Sequence, residues 1–160
     1  MNIKKKIMSA KGETLNREVH PNWYIDIPGM KTLILGSYPP HEDKRHFEFF
    51  YPNKINRFWK ILAEINGSAL QYFENEKAVE ERIAIMNSLK VGVQNLGKVI
   101  LRKGKSARDL DIQILEFQDI LNIISRNPNL ERVLLPGISG PSSTYYLFLK
   151  YLKLNHIDIG

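Results

Sequence analysis

The chain has 160 residues, 43% of them hydrophobic, which suits one globular domain with a sizeable core spanning 1–160. It contains no cysteine, which excludes disulfides, thiolate catalysis and cysteine-ligated zinc or iron–sulfur centres. Lys and Arg outnumber Asp and Glu by 23 to 17, and a pI near 9.5 is compatible with an anionic partner such as nucleic acid, but charge alone does not decide it, because Lys4, Lys5, Lys6 and Lys11 read as a solvated tail.

In chain order, KTLILGS (Lys31 to Ser37) is an apolar run stopped by Gly36, Pro39 and Pro40, as expected for a central strand buried on both faces. Asn56 to Ile65 places Phe58, Ile61, Leu62 and Ile65 at helical spacing, with Asn56 suited to cap the start and Gly67 to end the helix. A second helix fits Glu76 to Leu89, with Val79, Ile83, Ile85 and Met86 on its apolar side. VGVQNLG (Val91 to Gly97) reads as a strand turning quickly into a loop, and the basic stretch Leu101 to Ile112 as that loop. A third helix covers about Phe117 to Ser125 through Ile120, Leu121 and Ile124, and ERVLLPG (Glu131 to Gly137) repeats the buried-strand pattern. Gly140 and Pro141 then suit the start of a last helix.

Strands alternating with helices predict an α/β domain, a three-layer α/β/α arrangement around a central, mainly parallel sheet. Ligands in such sheets bind beyond the carboxyl ends of the strands. That rule gathers Ser37 to His41, Gln94 and Asn95, and Gly137 to Ser143 on one rim.

The order of LILGSYPPH (Leu33 to His41) and FFYPNKINRFWKIL (Phe49 to Leu62) resembles the uracil-DNA glycosylase superfamily. Its nearest branches are the hypoxanthine-DNA glycosylases and the mismatch-specific uracil glycosylases, and the likeness runs from about Ile27 to Leu152. The resemblance implies a monofunctional DNA glycosylase of base-excision repair. Such an enzyme hydrolyses the N-glycosidic bond of a deaminated base, uracil or hypoxanthine, with no metal or nucleotide cofactor. The chemistry requires the target nucleotide to leave the stack and be read by hydrogen bonds and an aromatic face. Cleavage leaves a cationic sugar and an anionic base, so oriented water, polar groups and backbone donors matter more than a strong nucleophile.

By the same resemblance, Gly36 to His41 is the water-activating loop, with Gly36, Tyr38 and Pro39 against the base. Ser37 stands where several branches carry Asn or an acidic residue; its hydroxyl is a poor general base, and a turn or cap role competes with catalysis. Asn56 matches the Asn of an Asn-x-Phe-Trp element and is the first catalytic choice, with helix capping an equal reading. Tyr51 matches the ring that stacks on the extruded base, although Phe47, Phe49 and Phe50 beside it require core packing from at least one ring. Phe58 and Trp59 read as core. Asn95 is a reader of the base edge or a turn residue.

For DNA, the candidates are His41 as a donor to a phosphate or to the leaving base, with an exposed bystander the competing reading, and Lys98, Arg102, Lys103, Lys105 and Arg108 as backbone contacts, with a solvated cluster the competing reading. Ser139, in GISGPSS, lies where backbone N–H groups could meet a phosphate, or simply in a strand-to-helix connection. His41 and His46 are five residues apart and do not share a helical face, which argues against a metal site.

The family continues with a further strand and a loop that enters the DNA minor groove, and the sequence stops at LNHIDIG, where His156 to Ile159 could only begin that strand. A fragment and a shortened member fit equally. The expectation is weak duplex binding and poor excision, and a monomer or weak self-association through an uncovered sheet edge. With no secretory h-region and no run of ~20 apolar residues, the chain is expected to be cytoplasmic and not membrane-bound. The competing function classes are a non-catalytic nucleic-acid-binding protein of this fold and a small-molecule-binding α/β domain.

Overall fold

A computed structural model describes residues 6–8, as backbone, together with 14–137 and 140–159. The expected central strand is β3 (Thr32–Gly36), buried at every position. It pairs in parallel with β4 (Val91–Asn95), equally buried, and with β7 (Arg132–Leu134), giving the order β4-β3-β7. Runs such as TLILG and VGVQN lack polar alternation because both their faces meet protein.

Leu96 carries β4 directly into β5 (Gly97–Lys103), a member of a second, antiparallel sheet. The Leu96 and Gly97 N–H groups donate to the carbonyls of Gly36 and Ser37 at 2.8 and 2.9 Å, so the parallel ladder extends past β3 before the strand changes sheets. The second sheet has the order β1-β2-β5-β6, with β1 (Lys6–Met8), β2 (Thr14–Val19) and β6 (Ile112–Phe117).

This sheet corrects the expectation of a mainly parallel architecture. The parallel part is three strands wide, and four strands, including segments read as a charged tail and a basic loop, are antiparallel. The reason lies in half-exposed strands: GKVILRK and IQILEF carry charged or polar residues on their solvated face, which resembles loop composition.

Helices α1 (Phe58–Ile65) and α2 (Asn75–Leu89) lie between β3 and β4, α3 (Ile120–Arg126) between β6 and β7, and α4 (Thr144–Leu154) after β7. The buried face of α1 is Trp59, Leu62 and Ala63, while Ile61 and Ile65 are 51% and 67% exposed. The indole N–H of Trp59 donates to the buried Phe50 carbonyl at 2.8 Å, and this large anchored ring sets the helix rotation. Helix α2 buries Ala78, Ile85 and Met86 together with Arg82, whose guanidinium donates to the carbonyls of Tyr72 and Ala78 and lies 4.6 Å over the Phe47 ring.

Other boundaries move for local reasons. Asp119 caps α3 by accepting from the Asn122 N–H at 3.1 Å, so the helix begins after Phe117 rather than at it. Ser143 caps α4, placing its start beyond Pro141. Strand β7 is not buried on both faces: among the described strands it pairs with β3 alone, and Leu134 is 46% exposed. His156 to Ile159 form no strand and follow the end of α4. Trp23, Phe47, Phe49, Phe50 and Trp59 join the β3, β4 and α2 side chains in one core, so all three neighbouring phenylalanines pack internally. Among the described residues, no helix is long and apolar enough to cross a membrane.

Candidate active site

A cavity of about 590 Å³ opens where β3 and β4 end. Gly36, Ser37, Tyr38, Pro39, Tyr51, Asn56 and Asn95 all line it, so residues up to 59 positions apart that the sequence singled out separately meet in one place. The rest of the lining includes Ala107 and Asp109 of the β5–β6 connection, Ile112 at the start of β6, and the segments flanking β7 and α4.

The floor is built by close approach. A Cβ at Gly36 would stand 2.5 Å from Asn95 Oδ1 and 3.0 Å from the Tyr51 hydroxyl, so only glycine lets these groups meet there. Asn95 is buried at the end of β4, with its Nδ2 2.8 Å from His20 Nε2. His20 is buried too, and its Nδ1 lies 2.6 Å from the Pro21 carbonyl. Burial lowers the His20 pKa to about 4, partly opposed by the Pro21 hydrogen bond and aided by the charge of Arg45.

Tyr51 adopts a left-handed φ of 48°, and its ring stacks on Phe58 at 3.9 Å with an interplanar angle of 20°. Phe58 packs against the core and from there backs the Tyr51 ring that lines the cavity. Burial first, and the carboxylate of Asp109 second, push the Tyr51 hydroxyl up to about 12, so it is a neutral donor at physiological pH.

At the mouth, Ser37 Oγ donates to Asp109 Oδ1 at 2.9 Å. Asp109 belongs to a 3-10 turn (Asp109–Asp111) between β5 and β6. Asn56 Oδ1 accepts from the N–H of Phe58, the first residue of α1, at 2.8 Å, although the cap position itself is Arg57, one residue beyond the expected Asn56; Asn56 also lines the cavity.

The expected DNA-contacting cations divide. Arg102 is fully buried and turned inward, donating to Glu18 at 2.6 Å, to the Pro39 carbonyl at 2.7 Å and to the Ser106 carbonyl at 2.7 Å. It braces the Pro39 loop from behind, and its burial removes it from the set of surface phosphate contacts. Lys98 pairs with Glu116 at 3.1 Å, Lys105 with Asp43 at 2.5 Å and Arg108 with Asp111 at 4.0 Å, all with exposed cationic side chains. Lys103 is exposed at the end of β5. His41 caps a turn by accepting from the Asp43 N–H at 3.2 Å, and His46 accepts from the Lys54 N–H at 3.3 Å. Ser139 lies outside the described residues.

No family model and no curated protein matches the chain. Among solved structures, it is similar to a solution NMR structure from Methanosarcina acetivorans whose assignment as a uracil DNA glycosylase is provisional. The TM-score is 0.60 at 21% identity, over 88% of this chain and 79% of that one. The two share a fold. Within that fold, sequence reasoning missed two residues of the site, His20 and Asp109. Asp109 sat inside a stretch read by its positive charge, and His20 followed a strand hidden by its polar alternation, so neither carried a local signal.

Proposed function

We propose that the chain is a DNA glycosylase that hydrolyses the N-glycosidic bond of a deaminated base, with uracil and hypoxanthine as the candidate substrates. The observation that carries this reading is the meeting, in one cavity at the strand ends, of the Gly36-to-Pro39 loop with Tyr51, Asn56 and Asn95. A flipped base would lie on the floor beside Asn95, against the Tyr51 face opposite Phe58. Its sugar would then sit at the mouth, where Ser37 and Asp109 meet. There the Asp109 carboxylate faces the developing positive charge at C1′ and, with Ser37 and Asn56, orients a water. Water oxygen bonds to C1′, its proton passes to the carboxylate, and the C1′–N bond breaks with its electron pair leaving on the base. Backbone N–H groups of the loop offset the charge on the departing anion. This arrangement answers the weakness of Ser37 as a base by supplying the carboxylate from the β5–β6 connection. Lys103, Lys105 and Arg108, near the same connection, are the proposed phosphate contacts.

The test is release of free base from single- and double-stranded oligonucleotides containing uracil or hypoxanthine, at low salt. Turnover above the uncatalysed rate on either base supports the reading. Salt-dependent DNA binding with no release would instead make this a nucleic-acid-binding protein of the same fold.

A further inference from the structure

We propose that His20 is a positioning residue: it holds the Asn95 amide with its oxygen toward the cavity, so that the site takes a base with a ring N–H and rejects one with a bare ring nitrogen. The inference rests on the glycosylase reading of the cavity and names the chemistry by which that cavity selects.

The Pro21 carbonyl can only accept, so the His20 Nδ1 that lies 2.6 Å from it carries a hydrogen. A neutral imidazole has one N–H, which leaves Nε2 as an acceptor. The Asn95 atom 2.8 Å from Nε2 must then be the NH2 group, and the amide oxygen must lie on the other side, beside Gly36. One amide hydrogen is committed to His20; the oxygen and the second hydrogen remain for a ligand.

Several features keep the imidazole in this state. Trp23, Tyr38 and Phe50 surround the ring, with centroids 5.3, 5.5 and 5.8 Å away. Burial in that aromatic box disfavours the imidazolium, which would donate from Nε2 and turn the amide around. The Asn95 main chain is also held, its N–H donating to Gln94 Oε1 at 2.8 Å.

An acceptor at this place complements N3–H of uracil and N1–H of hypoxanthine. It opposes the lone pair at N3 of cytosine and N1 of adenine. Thymine and guanine also carry a ring N–H, so the contact separates a deaminated base from its parent and leaves other discrimination to the cavity walls.

Two measurements test this. Nitrogen-15 NMR of the histidine rings at neutral pH should show His20 protonated at Nδ1 and bare at Nε2. Titration of the free bases into wild type, His20→Gln and His20→Phe should then separate positioning from packing. Glutamine can still donate to Pro21 and accept from Asn95, whereas phenylalanine fills the box without accepting. Wild type and His20→Gln should prefer uracil to cytosine and hypoxanthine to adenine by roughly 10-fold, and His20→Phe should lose that preference. An Nε2–H tautomer, an imidazolium, equal binding of both bases by wild type, no binding of any base, or an unchanged preference in His20→Phe would each overturn the proposal. Should His20→Phe fail to fold, the tautomer and the wild-type preference still decide. Base release from DNA is read separately: its absence beside intact selectivity removes the glycosylase reading and leaves the role of His20.

Discussion

Replacing Arg102 by methionine keeps the volume of the side-chain stem and removes its charge. In the folded chain that charge is fully buried, paired with Glu18 at 2.6 Å and hydrogen-bonded to the carbonyls of Pro39 and Ser106. Breaking a buried pair from one side costs about 3–5 kcal/mol, because the remaining charge stays desolvated. The Glu18 side chain keeps 19% of its exposure, which places the expected loss near the lower end, about 3 kcal/mol. For a chain of this length that is a fall in Tm of roughly 6–12 °C. Urea unfolding followed by circular dichroism should show a lower midpoint at unchanged slope. Adding Glu18→Gln should recover part of the loss, since it removes the stranded carboxylate. A phosphate-contacting arginine behaves differently: its loss leaves stability alone and lowers the salt dependence of DNA binding by about one ion. That pattern in Arg102→Met would refute the structural assignment.

Acidification should expose His20. Its folded pKa of about 4 lies below the ordinary 6.5, so between these values the unfolded chain binds the proton and the folded chain does not. Its contribution is therefore complete above pH 6.5 and is lost as pH falls toward 4, by about 3 kcal/mol. The difference in stability between wild type and His20→Gln should change across that window; a difference independent of pH would contradict it. Gly36→Ala should cost about 1–3 kcal/mol, because the added methyl meets Asn95 Oδ1 at 2.5 Å, and should abolish uracil binding in the same titration. Normal binding by this variant would place the ligand elsewhere. For base release, Asn56→Ala and Asp109→Asn should each lower kcat/KM by about 10²-fold at matched stability, and Ser37→Ala by less than about tenfold. A reversed order would give the main catalytic role to Ser37 and refute this ranking.

Much of this architecture was legible locally. The uninterrupted apolar run at Leu33 to Leu35 marks a strand buried on both faces, and Gly36 with the prolines after it marks where that strand stops. The helical spacing at 56–65 and 76–89 locates α1 and α2, although Trp59, anchored to Phe50, rather than the isoleucines, selects the buried side of α1. The two motifs also pointed to Tyr51 and Asn56, and the end of the second parallel strand to Asn95; all three share the cavity with Ser37. These features follow from periodicity and backbone stereochemistry, which act over a few residues.

Tertiary structure decided what the polar residues do. Arg102 reads in the sequence as one more cation of a basic stretch, and only the pleat of β5 turns it inward to meet Glu18, 84 positions away. Ser37 finds its carboxylate partner 72 positions on, and His20 meets Asn95 across 75. A side chain's charge or amide states what it can bond, but the donor or acceptor that completes it is fixed by the path of the backbone. Here that path is set where β4 runs through Leu96 into the second sheet and brings the two sheets' polar residues to the same cavity.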